Sequence, residues 1–210
     1  MSENPTSYSG IAAALPHANI DTDTIIPIEF CVNRERPNFD VGLFHHWRFD
    51  QNGNQRSDFV LNNAPWSNAN ILVTGSNFGC GSSREMAVWA LADFGINCII
   101  SPSFGEIFYN NCFLNGVLAA IIDLDAHEQL MQLLQGESIV SLSLEIGSKI
   151  VSLGGSKVTS FQLDSLRQRM LLQQLDPIDA TMTFEDDIAS FEGNSSDDRP
   201  WMHEIFEDGT

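Results

Sequence analysis

Apolar positions in this chain come in short runs, and the spacing between them changes along the sequence. The middle of the chain is the most regular. Residues 71–74 read as a short buried strand, followed by a glycine-rich loop over 75–81. A helix over 83–94 comes next, closed by Gly95 just past its last turn. Ser82 and Glu85 make an S-x-x-E capping box, so Ser82 is the expected N-cap. Residues 96–100 form a second strand, and Ser103 with Glu106 a second box opening a short helix. A third strand follows over 117–122, and Asp125 with Glu128 caps a helix ending at Gly136. Beyond it, 138–144 and 149–153 are β-rich, and Gly154-Gly155 makes a hairpin turn before 157–161. A helix over 165–175 stops before Pro177. Thr183 caps a last short helix ending at Gly193, and 194–199 read as a loose polar stretch.

The first third has no such rhythm. Turn residues crowd 19–27, 36–38, 50–55 and 62–70, with aromatics scattered between them: Phe30, Phe39, Phe44, Trp47, Phe49 and Trp66. Such sequence reads as ligand-facing loops over a core, or as aromatics that simply fill that core. Strands alternating with helices, then a hairpin and C-terminal helices, predict a layered α/β fold. The expected division is a body over 1–193 and an acidic tail over 194–210.

Composition changes the picture in three places. With 210 residues, 43% hydrophobic and 18% charged, the chain is of ordinary globular type and long enough for a real core. No apolar run is long enough to span a bilayer, and the polar first ten residues lack the pattern of a secretory leader. A soluble cytoplasmic protein, with no membrane partner, is expected. The formal charge of −18, from 28 acidic and 10 basic residues, leaves no basic stripe for nucleic acid. Residues 176–210 hold 11 of those acids and one base, Arg199, which reads as a solvated tail or a docking surface. The four cysteines, Cys31, Cys80, Cys98 and Cys112, stand far apart in no zinc or ferredoxin-like spacing, so this chain is not expected to hold a metal. Cys98 lies in an apolar run and reads as a buried, inert thiol.

The sharpest motif is Gly75-Ser-Asn-Phe-Gly-Cys-Gly-Ser-Ser-Arg-Glu85. A glycine-rich turn between a strand and a helix presents unpaired N–H groups and the positive end of the helix dipole to an anion. Ser82 and Ser83 add hydroxyls, and Arg84 adds a planar fork suited to a carboxylate. The motif fails as a P-loop, having no Gly-Lys-Ser/Thr. It also fails as a dinucleotide fingerprint, because Arg84 stands where the third glycine belongs. What remains is a small carboxylate ligand, or a plain helix cap with Arg84 paired to a nearby acid.

Three segments together resemble the swivelling β/β/α domain of the aconitase superfamily, in particular the separate small subunits of isopropylmalate dehydratases. They are Asn19-Ile-Asp-Thr-Asp-Thr-Ile-Ile-Pro27, then Gly42-Leu-Phe-His-His-Trp-Arg-Phe49 with Asp58-Phe-Val-Leu-Asn62, and the stretch 71–117 with Ser101-Pro-Ser-Phe-Gly-Glu-Ile-Phe108. The likeness covers about 11–122 and, faintly, 175–191. It implies a stereospecific hydro-lyase of leucine biosynthesis that moves a hydroxyl between adjacent carbons of a malate-type acid. It also implies a large partner subunit, in a heterodimer or heterotetramer, whose [4Fe–4S] cluster takes the substrate hydroxyl. No cofactor is implied in this chain.

By the same resemblance Ser82 is the general base, activated by an oxyanion environment, while Ser83 and Arg84 grip a substrate carboxylate. Asp23 is the active-site aspartate that orients a histidine of the other component, with an Asx-turn as its structural alternative. Asp21 reads as structural. Ile28, Glu29, Phe30, Cys31 and Arg34 fall in the segment facing the variable end of the substrate. Arg34 and Arg36 are exposed loop charges or a second carboxylate contact, and His45 and His46 are packing and surface residues. Two departures stand out: Met86 and Val88 replace the His and Pro of the common Ser-Ser-Arg-Glu-His-Ala-Pro-Trp, and 28–37 differ from the usual loop. Substrate identity is therefore open between isopropylmalate and a related 2-alkylmalate such as citramalate or dimethylmalate. A non-catalytic carboxylate-binding module is the reading from another class.

Overall fold

A computed structural model describes residues 6–136, 138–173, 175 and 177–198. The strands are β1 (Ser7–Leu15), β2 (Ile71–Thr74), β3 (Cys98–Ser101), β4 (Leu118–Ile121), β5 (Ser141–Glu145), β6 (Ile150–Leu153) and β7 (Ser156–Ser160). They form one sheet in the order β4-β3-β2-β1-β5-β6-β7. From β4 to β1 neighbouring strands are parallel; from β1 to β7 they are antiparallel. β2 and β3 are buried at every residue, as parallel strands covered on both faces must be. β5 instead alternates between buried and open positions. An isolated bridge between Ile121, at the β4 edge, and Gln162, just past β7, curls the sheet toward closure.

The helices are α1 (Thr22–Ile25), α2 (His45–Arg48), α3 (Glu85–Phe94), α4 (Glu106–Leu114), α5 (Leu124–Leu134), α6 (Ser165–Gln173), α7 (Pro177–Met182) and α8 (Glu185–Asp198). Short 3-10 turns at Ile28–Phe30, Asp40–Gly42, Val60–Asn62 and Trp66–Asn68 punctuate the first third. The chain separates into two compact units, Met1–Gln174 and Leu175–Thr210. The first holds the sheet, α1–α6 and the apolar core, in which Ile71, Leu72, Val73, Ile99, Ile100, Ala87 and Leu91 are fully buried. The second holds α7 and α8. The first turn of α8 carries Glu185, Asp186 and Asp187, where acids favour the helix dipole.

The layered α/β reading holds, as do the strand at 71–74 and the hairpin at Gly154-Gly155. Gly95 also closes α3, with a positive φ of 108°. Three expectations need correcting. β1 lies in the stretch read as irregular, yet it is the central strand joining the parallel and antiparallel halves. None of the three expected capping boxes forms. α3 begins at Glu85 with Arg84 as its N-cap, α4 follows Gly105 and α5 follows Asp123, none with a side-chain cap bond. Tertiary partners occupy the capping side chains instead: Glu85 accepts from Asn115 Nδ2 (2.9 Å) and Ser103 Oγ from the Asn77 N–H (2.9 Å). Of the two readings left open for the aromatics, Phe39 and Phe44 take the core one. Finally, α8 runs on to Asp198, through most of the stretch read as loose. The rest of the acidic tail, 199–210, lies outside the described residues.

Candidate functional site

The register of the sheet decides where the two chemical motifs meet. β1 and β2 run parallel with Leu15 opposite Thr74, so the chain leaves both strands at the same carboxyl edge. Ligand sites of parallel sheets lie at that edge. The loop after β1 carries Asp21-Thr-Asp23; the loop after β2 carries 75–84.

Backbone hydrogen bonds then fasten the two loops along their length. The Asn19 N–H donates to the Ser76 carbonyl (2.8 Å), the Gly79 N–H to Ile20 (2.7 Å) and the Thr22 N–H to Cys80 (2.9 Å). Thr22, buried, also donates its hydroxyl to the Ser82 carbonyl at 2.9 Å. Asp21 caps α1 by accepting from the Thr24 N–H at 2.7 Å, in line with a structural role. Gly79 must be glycine twice over: its φ is +72°, and a Cβ there would stand 2.2 Å from the Phe108 ring. Gly81, at φ +91°, turns the chain into Ser82.

This pairing brings Asp23 to Arg84. Arg84 Nη1 donates to Asp23 Oδ1, and at 3.4 Å to the Ile26 carbonyl. Both contacts involve Nη1, so the Nε–Nη2 edge has no protein acceptor among the described residues. That edge is the one that receives a carboxylate through two parallel bonds. The Arg84 side chain is only 16% exposed, which strengthens the electrostatics of whatever it holds. Ser82 and Ser83 are exposed, and neither hydroxyl has a partner among the described residues. Because α3 starts at Glu85, the seryl pair sits in the turn ahead of the helix, not on its cap.

A cleft of about 350 Å³ opens beside Asp23, lined by Asp21, Thr24, Pro27, Ile28, Glu29, His46 and Trp47. A second, of about 230 Å³, is lined by Gly79–Ser82, Gly105, Glu106 and Ile107. Arg84 stands two residues from Ser82 and is paired with Asp23, yet neither cleft holds both ends of the motif. Another cleft, of about 380 Å³ between 14–17 and 56–60, shares Trp47 and takes in Asp58, Phe59 and Val60 of the second motif, but none of the candidate catalytic or substrate-binding residues.

The specificity segment divides. Ile28 and Glu29 line the Asp23 cleft, and Glu29 Oε1 lies 3.6 Å from His46 Nε2. Cys31 donates to the Pro27 carbonyl at 3.7 Å; burial pushes its thiol pKa up, while the nearby Arg84 pulls it down and Asp23 and Glu29 push it up. Phe30 instead packs, partly buried, on the core and meets the His45 ring at a tilt of 37°, with centroids 4.2 Å apart. Arg34 is tied within its own loop, donating to the Asn38 carbonyl (2.9 Å) and lying over the Phe30 ring. Arg36 faces Asp93 and Asn115. Trp47, one of the loop aromatics, lines the Asp23 cleft, and so does His46, read as a surface residue and 65% exposed at its side chain. Their signal was their place in the Gly42–Phe49 motif, which alone could not tell a wall from a surface.

The described residues offer no site for a metal cluster. Among the described residues no three His, Cys, Asp or Glu side chains converge. Cys98 and Cys112 are fully buried, and burial holds both thiols far above their ordinary pKa. No helix among the described residues is long and apolar enough to cross a membrane.

The chain matches the model of the aconitase C-terminal domain over residues 3–124. It is 46% identical to the 3-isopropylmalate dehydratase small subunit of Allorhizobium ampelinum over 201 residues, which cover 95% of this chain and 99% of the relative. To the protein of the same name from Roseobacter denitrificans it is 43% identical over 197 residues, covering 94% and 98%. The crystal structure of a 3-isopropylmalate dehydratase from Methanocaldococcus jannaschii superposes with a TM-score of 0.59 at 21% identity, covering 89% of this chain and 99% of that one. That last likeness bears on the fold alone.

Proposed function

We propose that this chain, which belongs to the 3-isopropylmalate dehydratase small-subunit family of aconitase C-terminal domains, supplies the substrate-gripping half of a hydro-lyase that interconverts 2- and 3-isopropylmalate in leucine biosynthesis. The observation that carries this reading is the Asp23–Arg84 pair, formed between two family motifs sixty-one positions apart and leaving one guanidinium edge open. An alkylmalate carries two carboxylates; the open Arg84 edge and the Ser83 hydroxyl would receive one of them. Ser82, its hydroxyl unpartnered beside that grip, would take the proton on the carbon next to the bound carboxylate. Asp23 would hold Arg84 from one side and face a histidine of the partner from the other. The exposed Ile28, with Pro27 and Trp47, offers an apolar wall to the alkyl branch.

The missing half is a large subunit. Its [4Fe–4S] cluster would supply Lewis-acid activation of the departing hydroxyl. The open form of both clefts and the exposure of Ser82 and Ser83 support a site that closes only when another surface covers it. A soluble cytoplasmic protein remains the reading, and it suits this chemistry.

The test is anaerobic reconstitution with the cognate large subunit, followed by assay on isopropylmalate, citramalate and dimethylmalate. Activity strongest on isopropylmalate, and none in the isolated, iron-free chain, is expected. A stoichiometric iron–sulfur chromophore in the purified chain, or activity without the partner, contradicts the division of labour. Preference for a smaller alkylmalate replaces the substrate and keeps the reaction.

A further inference from the structure

Between the 3-10 turn at Ile28–Phe30 and the core residue Phe39, the segment 31–38 crosses the surface with little backbone structure of its own. What fixes it is a carboxylate from another element. Asp93 Oδ2 accepts from the N–H groups of both Asn38 and Phe39, each at 3.0 Å, and Asp93 Oδ1 lies 3.5 Å from Arg36 Nη2. The Asp93 side chain is only 6% exposed. A carboxylate in the last turn of α3 opposes the negative end of the helix dipole, and a buried one is costly unless fully paired. Here all three partners come from the segment and from Phe39, the residue that ends it.

The same helix reaches the segment a second time. Arg36 Nη1 donates to Asn115 Oδ1 (3.2 Å), which also accepts from Trp89 Nε1 (2.9 Å), while Asn115 Nδ2 donates to Glu85 Oε1 (2.9 Å). The guanidinium of Arg36 lies over the Trp89 ring at 5.6 Å, and Phe39 meets that ring edge-on at 5.2 Å. Glu85 immediately follows Arg84. One end of α3 therefore adjoins the carboxylate grip, and the other anchors the segment that leads from the cleft wall at Ile28 and Glu29.

We infer that Asp93 is a positioning residue for substrate selectivity: through Arg36 and the Asn38 and Phe39 amides it holds the 28–38 segment at a fixed height relative to Arg84, and so sets the room left for the substrate's alkyl branch. The inference rests on the proposed alkylmalate chemistry. A shift of the wall would change how the alkyl group fits while leaving the proton-transfer group in place. One methylene in an apolar pocket is worth about 10–200-fold in discrimination, so a small displacement is enough to be measured.

Asp93→Ala, Asp93→Asn and Arg36→Gln are assayed in the reconstituted enzyme against isopropylmalate and its methyl homologue, citramalate. Amide hydrogen exchange is followed at Asn38 and Phe39 in the same proteins, with Tyr8→Phe as a control that removes a remote hydrogen bond to Gly116. Asp93→Ala is expected to raise the KM for isopropylmalate about tenfold, keep kcat within about threefold, shrink the isopropyl-to-methyl preference about tenfold and speed exchange at both amides. Tyr8→Phe is expected to lower Tm without touching selectivity. If Asp93→Ala fails to fold, the same shifts are read in Asp93→Asn and Arg36→Gln. Unchanged KM and preference in a folded variant, even with faster exchange, overturn the inference. A wild-type reconstituted enzyme inactive on every alkylmalate sinks the proposed function and this assignment together, whereas altered variants beside an active wild type can bear on the assignment alone.

Discussion

Two regions carry the candidate site residues, and they are built on different principles. The 19–25 and 75–84 loops are fastened to each other by backbone hydrogen bonds, the buried Thr22 hydroxyl and glycines that admit no other residue. The 27–38 segment has few backbone bonds and is held by side chains: Asp93, Arg36 and Asn115. The first arrangement is held mainly by main-chain bonds, with the Thr22 hydroxyl as its one buried side-chain tie. The second is adjustable, because a single substitution moves the wall. On the proposed function, the chemistry would sit on the stiff region and the selectivity on the tunable one.

The comparison breaks most sharply at Ser82. In the reconstituted enzyme Ser82→Gly is expected to lower kcat by ~100-fold or more, the scale of losing a general base. Since Arg84, not Ser82, is the N-cap of α3, Tm and assembly with the partner should stay near wild type. Turnover near normal would assign the proton to a group on the large subunit. Next in size is Arg84→Lys, which exchanges a bidentate fork for a point charge. A loss of about 1.5–3 kcal/mol of substrate binding is expected, read as a higher KM. An unaltered KM would return Arg84 to a purely structural pairing with Asp23.

Thr22→Val probes the stiffness itself. It removes the hydroxyl that holds the Ser82 carbonyl at 2.9 Å, so kcat should fall about tenfold while the substrate preference stays put. A changed preference with intact kcat would reverse the roles given to the two regions. The smallest effect belongs to the adjustable wall. Ile28→Ala should shift the preference toward bulkier alkyl branches by several-fold, roughly the worth of one or two methylenes, with kcat on the best substrate little changed. No shift across the panel would put the alkyl branch elsewhere.

The stiff region was also the more legible one. An apolar run, a glycine-rich turn and a closing glycine are local signals, and they placed β2, the loop and the end of α3 from sequence. β1 escaped notice because Ser7–Leu15 is built of small residues with weak strand preference. Strand conformation is imposed there by β2 on one side and β5 on the other, and Gly10 is needed where a Cβ would collide with the Asn70 side chain. The capping boxes misled for a related reason: Ser103 and Glu85 are drawn away by partners far along the chain. Arg36 and Asp93 lie fifty-seven positions apart, so no spacing rule links them. His46 is a surface histidine, and only the fold sets it across from Glu29.

In the proposed reaction Asp23 and Arg84, brought together by the register of two parallel strands, act on the substrate as one grip. A double-mutant cycle on the reconstituted enzyme tests this most directly, using Asp23→Asn, Arg84→Lys and the pair, each read as kcat/KM for isopropylmalate. A shared grip predicts strong non-additivity, with a coupling of about 1–3 kcal/mol, so that Asp23→Asn costs little once Arg84 is lysine. Costs that simply add would mean that the two side chains touch in the structure but serve the reaction separately, which contradicts the account.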